Sequence, residues 1–339
     1  SRYTPSRFFS KIIEHFNNTD LQNWLSGNGI KTYTGTSKRI FPAKGTKPIE
    51  VLNTFLNILD QKGICIKTKH EWKGWTKEND LLFEHNNQET IVKSDIIVFA
   101  LGGASWKVTG SDGTWTKSFR DKNIIIVPFL PSNCRYEIKW AKPFLELTEG
   151  KSLKNISITC NSVEKKGELL ITKHGLEGSA IYSLSPEIRK GLLKAPFALI
   201  FLDLKPSLTL ETIRQKLRQR GNKSFSKLLE SELNLNTQQL SLLKNHLSKE
   251  EFTDPEILAV KIKELPLKIT GFAPIDEAIS TVGGIDLNEI NDYFELKKLP
   301  GHFVIGEMLD WDAPTGGYLL QGCFSMGHYL ANYLNDKKV

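Results

Sequence analysis

The residues best suited to chemistry gather in one stretch, PGHFVIGEMLDWDAPTGGYLLQGCFSMGHYLANYL, Pro300 to Leu334. An apolar run, Phe303 to Ile305, ends in Gly306-Glu307, crosses an acidic loop to Gly316-Gly317, and then opens a helical pattern. A buried strand followed by a carboxylate and a helix N-terminus sets two functions at one sheet edge. Glu307 can accept hydrogen bonds from sugar or sugar-alcohol hydroxyls. Gly316 and Gly317 let backbone N–H groups approach a ligand, and the helix that follows turns its positive dipole end to the same place. A plain βα turn with glycines for packing has the same spelling.

A helix end of this kind suits a phosphate, or a ring that accumulates negative charge, as reduced flavin does along its N1–C2=O edge. A second stretch, DIIVFALGGASW, Asp95 to Trp106, is another apolar run closed by paired glycines, Gly102 and Gly103. If the two strands are neighbours, both glycine pairs face one ligand. Trp106, Trp115 and Trp311 fall near that edge, where stacking on a ring competes with core burial. Arg39 can bind a carboxylate or phosphate, although an ion pair within the protein is the commoner use of an Arg. His174, in a glycine-rich connection of the inserted unit, is the histidine best placed to face a ligand, although a surface-loop position is the commoner reading. The histidines show no HxxxH or HxH spacing and the four cysteines no CxxC pair, which argues against a metal site and a disulfide framework. Cys323 reads as a core thiol. No catalytic acid or base can be named from spacing alone.

Several elements must position these residues. Residues 8–28 carry one or two amphipathic helices, with Phe8, Ile12, Phe16, Leu21 and Trp24 at helical spacing, ended by Asn28-Gly29. Ser37 to Gly45 reads as a loop, and Pro48 opens a helix closed by Gly63. ICIKTK, residues 64–69, reads as a strand, followed by a hairpin from His70 to Phe83 that turns at Glu78-Asn79-Asp80. Ser111 or Asp112 is the expected cap of a helix in GSDGTWTKSF, and NIIIVPF reads as a further strand.

From Pro131 the texture changes to short alternating strands, giving a β-rich unit over 131–206, and residues 207–267 carry three or four short helices. PLKIT begins the return to the first unit, so residues 1–130 and 268–339 form one α/β body interrupted by an insertion.

The 339 residues, 40% hydrophobic, can fill more than one core. No apolar run is long enough for a membrane helix and the first residues lack a signal-peptide pattern, so a cytoplasmic protein is expected. The net charge of +7 is spread along the chain with no run of five like charges, which argues against a nucleic-acid partner and for a small-molecule substrate.

ALGGASWKVTGSDGTW, RIFPAKG, AISTVGGID and LPGHFVIGEMLDWDAPTGGYLLQGCFSMG together resemble the bacterial family of NAD(P)/FAD-dependent oxidoreductases that includes aminoacetone oxidase-like enzymes. The resemblance runs over essentially the whole chain. It implies a glutathione-reductase-like FAD-binding domain, a barrel-like β insertion and a small helical domain. It further implies FAD as cofactor, with Gly102 and Gly103 on its pyrophosphate and ribose side and Gly306 and Glu307 at its ribityl and diphosphate region. Gly316, Gly317 and Tyr318 would bring backbone N–H groups to the isoalloxazine, and the strand near Trp72 would meet the adenine through its backbone. The implied activity is oxidation of a small substrate such as an amine, or reduction of an unsaturated one with NAD(P)H as electron donor. The chain departs from the family's opening pattern: it holds neither the strand, G-x-G-x-x-G turn and helix nor the acidic residue and G-G-x-N-x-T segment that follow, so the FAD-binding domain is expected to be N-terminally incomplete. A cofactor-free interaction module derived from a flavoprotein is the alternative.

Overall fold

Helix starts are written locally in this chain. In the computed structural model, which describes residues 2–35 and 38–337, the Asn17 side chain accepts the Thr19 N–H at 2.8 Å while Asp20 accepts the Asn17 N–H at 2.8 Å, opening the helix Asn18–Gly27. Asn236 and Ser248 form the same reciprocal caps for Thr237–His246 and Lys249–Thr253. Each cap is worth about 1 kcal/mol. Asp112 does not cap a helix. Its carboxylate accepts the Thr114 N–H at 3.0 Å in a turn, and the helix Thr116–Asp121 starts after Trp115 with no side-chain cap.

The chain forms two compact units, Ser1–Leu130 with Thr281–Val339, and Pro131–Ser280. In the first unit Ile97–Phe99 and His302–Val304 pair in parallel, with Val98 opposite Phe303. An antiparallel sheet of Glu71–Trp75, Leu81–His85 and Gln88–Val92 belongs to the same unit. The third strand of that sheet was not legible as one. Side chains three apart in a strand point to opposite faces, yet Trp72 and Trp75 both reach Phe99, at 4.9 and 5.4 Å, and Phe119, at 5.7 and 5.0 Å. A register shift between Trp72 and Gly74 makes this geometry, with Gly74 at φ +112°.

The expected strand 64–69 is not formed. Among the described residues no neighbour offers it ladder hydrogen bonds, and Ile64 and Ile66 stay 49% and 48% exposed. The preceding helix, Pro48–Gln61, buries none of its residues despite its apolar composition. Val98 is 42% exposed, although a parallel strand normally buries both faces. The expected loop 37–45 contains a short strand, Ile40–Pro42, paired with Thr32–Thr34, and its first residue, Ser37, lies outside the described residues.

The second unit is a seven-stranded antiparallel sheet. Its order is Leu265–Ile269, Ala198–Asp203, Ser152–Cys160, Val163–Thr172, Gly175–Glu177, Tyr136–Glu137 and Gly271–Phe272. The two edge strands are successive stretches of chain joined at Thr270, so the sheet curls back on itself. PLKIT therefore belongs to this sheet, where Leu265–Ile269 pairs with Ala198–Asp203, and the return to the first unit comes at Thr281. Five short helices, from Leu210–Arg218 to Pro255–Lys263, occupy the helical stretch. Gly175 sits at φ +153°, and a Cβ there would collide with the Tyr136 carbonyl oxygen. Gly175→Ala is expected to destabilise the chain by at least about 2 kcal/mol in urea unfolding. An unchanged midpoint would mean that the sheet yields at this strand.

Candidate functional site

Both parallel strands end in a left-handed glycine, Gly102 at φ +77° and Gly306 at φ +81°. An indole holds each turn: Trp115 Nε1 donates to the Gly102 carbonyl at 3.1 Å, and Trp311 Nε1 to the Gly306 carbonyl at 2.8 Å. Trp115 and Trp311 are buried, whereas Trp106 is exposed. The first two thus fix the strand ends from inside the core, and the Trp311 ring tilts against Phe9 at 4.6 Å.

The carboxylate that follows turns inward. Glu307 Oε1 accepts the Thr281 N–H at 2.8 Å and the Thr281 hydroxyl at 3.2 Å, and Gly103 supplies a further backbone hydrogen bond. The Thr281 hydroxyl also accepts the Ala104 N–H at 3.3 Å. Position 103 must be glycine because a Cβ there would collide with the Thr281 hydroxyl and come within 2.9 Å of the Glu307 carboxyl carbon. The second acid of the loop acts alike, with Asp310 Oδ1 accepting the Gly283 N–H at 3.0 Å. Gly283 and Gly284 take φ +103° and +110°, where a Cβ would strike the Pro128 and Met308 carbonyl oxygens. The Leu101 N–H points to the Met308 sulfur at 3.0 Å. Thr281, Met308 and Asp310 were not singled out from the sequence. The ST and DWD letters carry no spacing that announces such pairing.

The far end of the acidic loop is open. Gly316 and Gly317 have φ +105° and +88°, and Gly317 is the N-cap of the helix Tyr318–Asp336 without a side-chain cap. Among the described residues, a Cβ at position 317 would meet nothing within 4 Å. The first N–H groups of this 19-residue helix therefore lie at an accessible terminus without a side-chain cap. Below it, Tyr3 donates its hydroxyl hydrogen to the Tyr318 carbonyl at 2.9 Å, and burial holds that phenol above its ordinary range. Cys323 lies on the same helix beside Gly306 and Glu307; burial first, and then the nearby carboxylate, push its thiol up to about 12. A thiol so buried is packing and not a nucleophile.

The structure thus brings Gly102, Gly103, Gly306 and Glu307 together at the strand ends, with Gly316, Gly317 and Tyr318 at the other end of the acidic loop. Trp72 lies in the aromatic cluster under the parallel pair, with its Nε1 buried and without a hydrogen-bond partner among the described residues. His302 is buried in that cluster too; one ring nitrogen meets the Pro300 carbonyl at 3.0 Å and the other meets none. His174 is exposed in a turn of the second unit. Among the described residues no cluster of His, Cys, Asp or Glu could hold a metal, and no helix is long and apolar enough to cross a membrane.

A family model described as HI0933-like protein Rossmann domain matches residues 2–333. The chain belongs to this HI0933-like Rossmann-domain family. A 3-dehydro-bile acid delta(4,6)-reductase of Clostridium scindens is 24% identical over 252 residues, covering 70% of this chain and 61% of the relative. A ribosomal RNA dihydrouridine synthase of Escherichia coli is 22% identical over 328 residues, covering 94% of this chain and 79% of the relative. The chain thus spans less than two thirds of the first relative's length. Its mixed α/β architecture agrees with that family.

Burial raises the Glu307 carboxyl above the ordinary carboxylate range, and its hydrogen bonds from Thr281 and Gly103 only partly oppose this. In the unfolded chain the group ionises first, so rising pH favours unfolding until the folded group ionises as well. Wild type should therefore lose thermal stability relative to Glu307→Gln as pH climbs from about 4 through the raised folded value. Melting curves for both proteins across that range check this, and a constant difference would remove the linkage.

Proposed function

We propose that this protein is an FAD-dependent oxidoreductase that reduces a carbon–carbon double bond of an unsaturated substrate, with NAD(P)H as electron donor. The observation that carries the reading is the uncapped helix start at Gly317-Tyr318, sterically open at Gly317 among the described residues, whose N–H groups suit the pyrimidine edge of the ring. The names of both relatives describe adding hydrogen to an unsaturated compound, which favours reduction over amine oxidation. Bound FAD would supply hydride-transfer chemistry, with NAD(P)H as the reductant, the double bond as the acceptor and the second hydrogen coming from solvent as a proton. The protein's part is to hold and orient. Gly317 keeps the helix terminus unobstructed, Gly316 makes room for the Arg39 guanidinium, the indoles of Trp115 and Trp311 fix the strand ends, and Glu307 locks the Gly103 turn to Thr281.

A second reading, a cofactor-free interaction module, is favoured by one observation: Glu307 and Gly103 are already engaged within the protein. Visible absorption after adding FAD and desalting separates the two. Retained flavin bands, lost at least tenfold in apparent affinity on Gly317→Val, are expected if the helix start holds the ring. A colourless wild type would support the module.

A further inference from the structure

The first unit contains an apolar cavity of about 590 Å³, within the usual size of small-molecule sites, of which the flavin reading assigns only the glycine edge. Its walls include Leu21, Leu25, Phe41, Phe55 and Phe324, and its floor reaches Gly316, Gly317 and Tyr318. Among the described residues, the charged ones lining it are Lys38 and Arg39, with no Asp or Glu. Arg39 makes no side-chain hydrogen bond or ion pair among the described residues, so the internal ion pair expected of an Arg is missing. Its guanidinium lies on Gly316, where any Cβ would collide with it. A partly buried cation without a counter-charge, set against an apolar wall, is costly unless something anionic completes it.

We propose that this cavity binds an amphipathic carboxylate, an apolar polycycle bearing one acid group, with the acid paired to Arg39. The guanidinium fork matches a carboxylate in two parallel hydrogen bonds, and Lys38 adds a second positive charge at the same end. The apolar walls take the ring system by desolvation. A polyanion is a poor match, because a nucleic-acid backbone asks for cations spaced along a groove and stacking faces between them. The glycines of the floor are also the proposed flavin edge, so an occupant anchored at Arg39 extends toward that edge. Its role as the substrate to be reduced rests on the flavin reading; its binding does not.

The probes are cholate, below its micellar concentration, and cholate methyl ester, titrated into the full chain by calorimetry. Trp24 offers a fluorescence readout, since its ring lies 5.8 Å from Phe55 and 6.0 Å from Phe324. Cholate should bind one to one and at least tenfold more tightly than the ester. Arg39→Ala should weaken cholate ~10- to 100-fold and leave the ester unchanged, and Arg39→Lys should recover part of the loss. Phe324→Glu, which sets a carboxylate into the wall, should weaken both probes; circular dichroism checks that each variant is folded. Equal affinity for acid and ester, unchanged cholate binding by a folded Arg39→Ala, or competitive displacement of cholate by FAD would each overturn the proposal. Charge-selective cholate binding by a chain that takes up no FAD would sink the flavin reading alone and leave the cavity assignment standing.

Discussion

Glu307 joins three segments that are distant in sequence. Its carboxylate gathers backbone N–H groups from Thr281 and Gly103, and the Thr281 hydroxyl relays the contact to Ala104. These groups would otherwise be buried donors without acceptors, because the two short parallel strands end before they can supply carbonyl partners. A carboxylate meets several donors at once, which a neutral side chain of the same length does less well. The cost is desolvation, visible as the upward shift of its titration. The site geometry depends on this trade, because it fixes where the Gly103 turn and the start of the acidic loop lie.

The acidic loop then reads differently from its first appearance. Glu307 and Asp310 point at the strand Ser280–Ile285, capping its N–H groups as a neighbouring strand would. The paired glycines at 283 and 284 admit the Pro128 and Met308 carbonyls, so they serve close backbone approach within the protein. Gly316 and Gly317 differ in kind: the first makes room for a guanidinium and the second faces open space. Two glycine pairs that look alike in sequence thus divide between packing and access, and only the surroundings of each Cβ position tell them apart.

Much of the fold was legible because it is local. The hairpin turning at Asn79 and the apolar runs of both parallel strands follow from neighbouring residues. What failed depended on partners. ICIKTK has the composition of a strand, but a strand exists only where another offers its ladder. Asp112 has the chemistry of a cap and spends it two residues too early, on Thr114. The bulge that turns Trp72 and Trp75 to one side cannot be read from an alternation rule, since it is a break in that rule. Thr281, the hydroxyl that completes the Glu307 network, has no sequence signal at all, being 26 residues away from its acceptor.

Charge shows the same contrast between composition and place. A net +7 says little about partners when lysines and arginines are scattered over the surface, because exposed charges more than about 10 Å apart are screened from each other at ordinary salt. One guanidinium held against an apolar wall without a counter-ion says more. Its desolvation is weakly screened and its geometry selects a planar anion over a spherical one. Ligand discrimination in this unit is therefore governed by Arg39 and the absence of carboxylates around the cavity, in combination with walls that favour an apolar body. Either half alone would accept many molecules. Together they require acid and hydrocarbon in one ligand, because an anion without the body leaves the walls wet and a body without the anion leaves the cation unpaired.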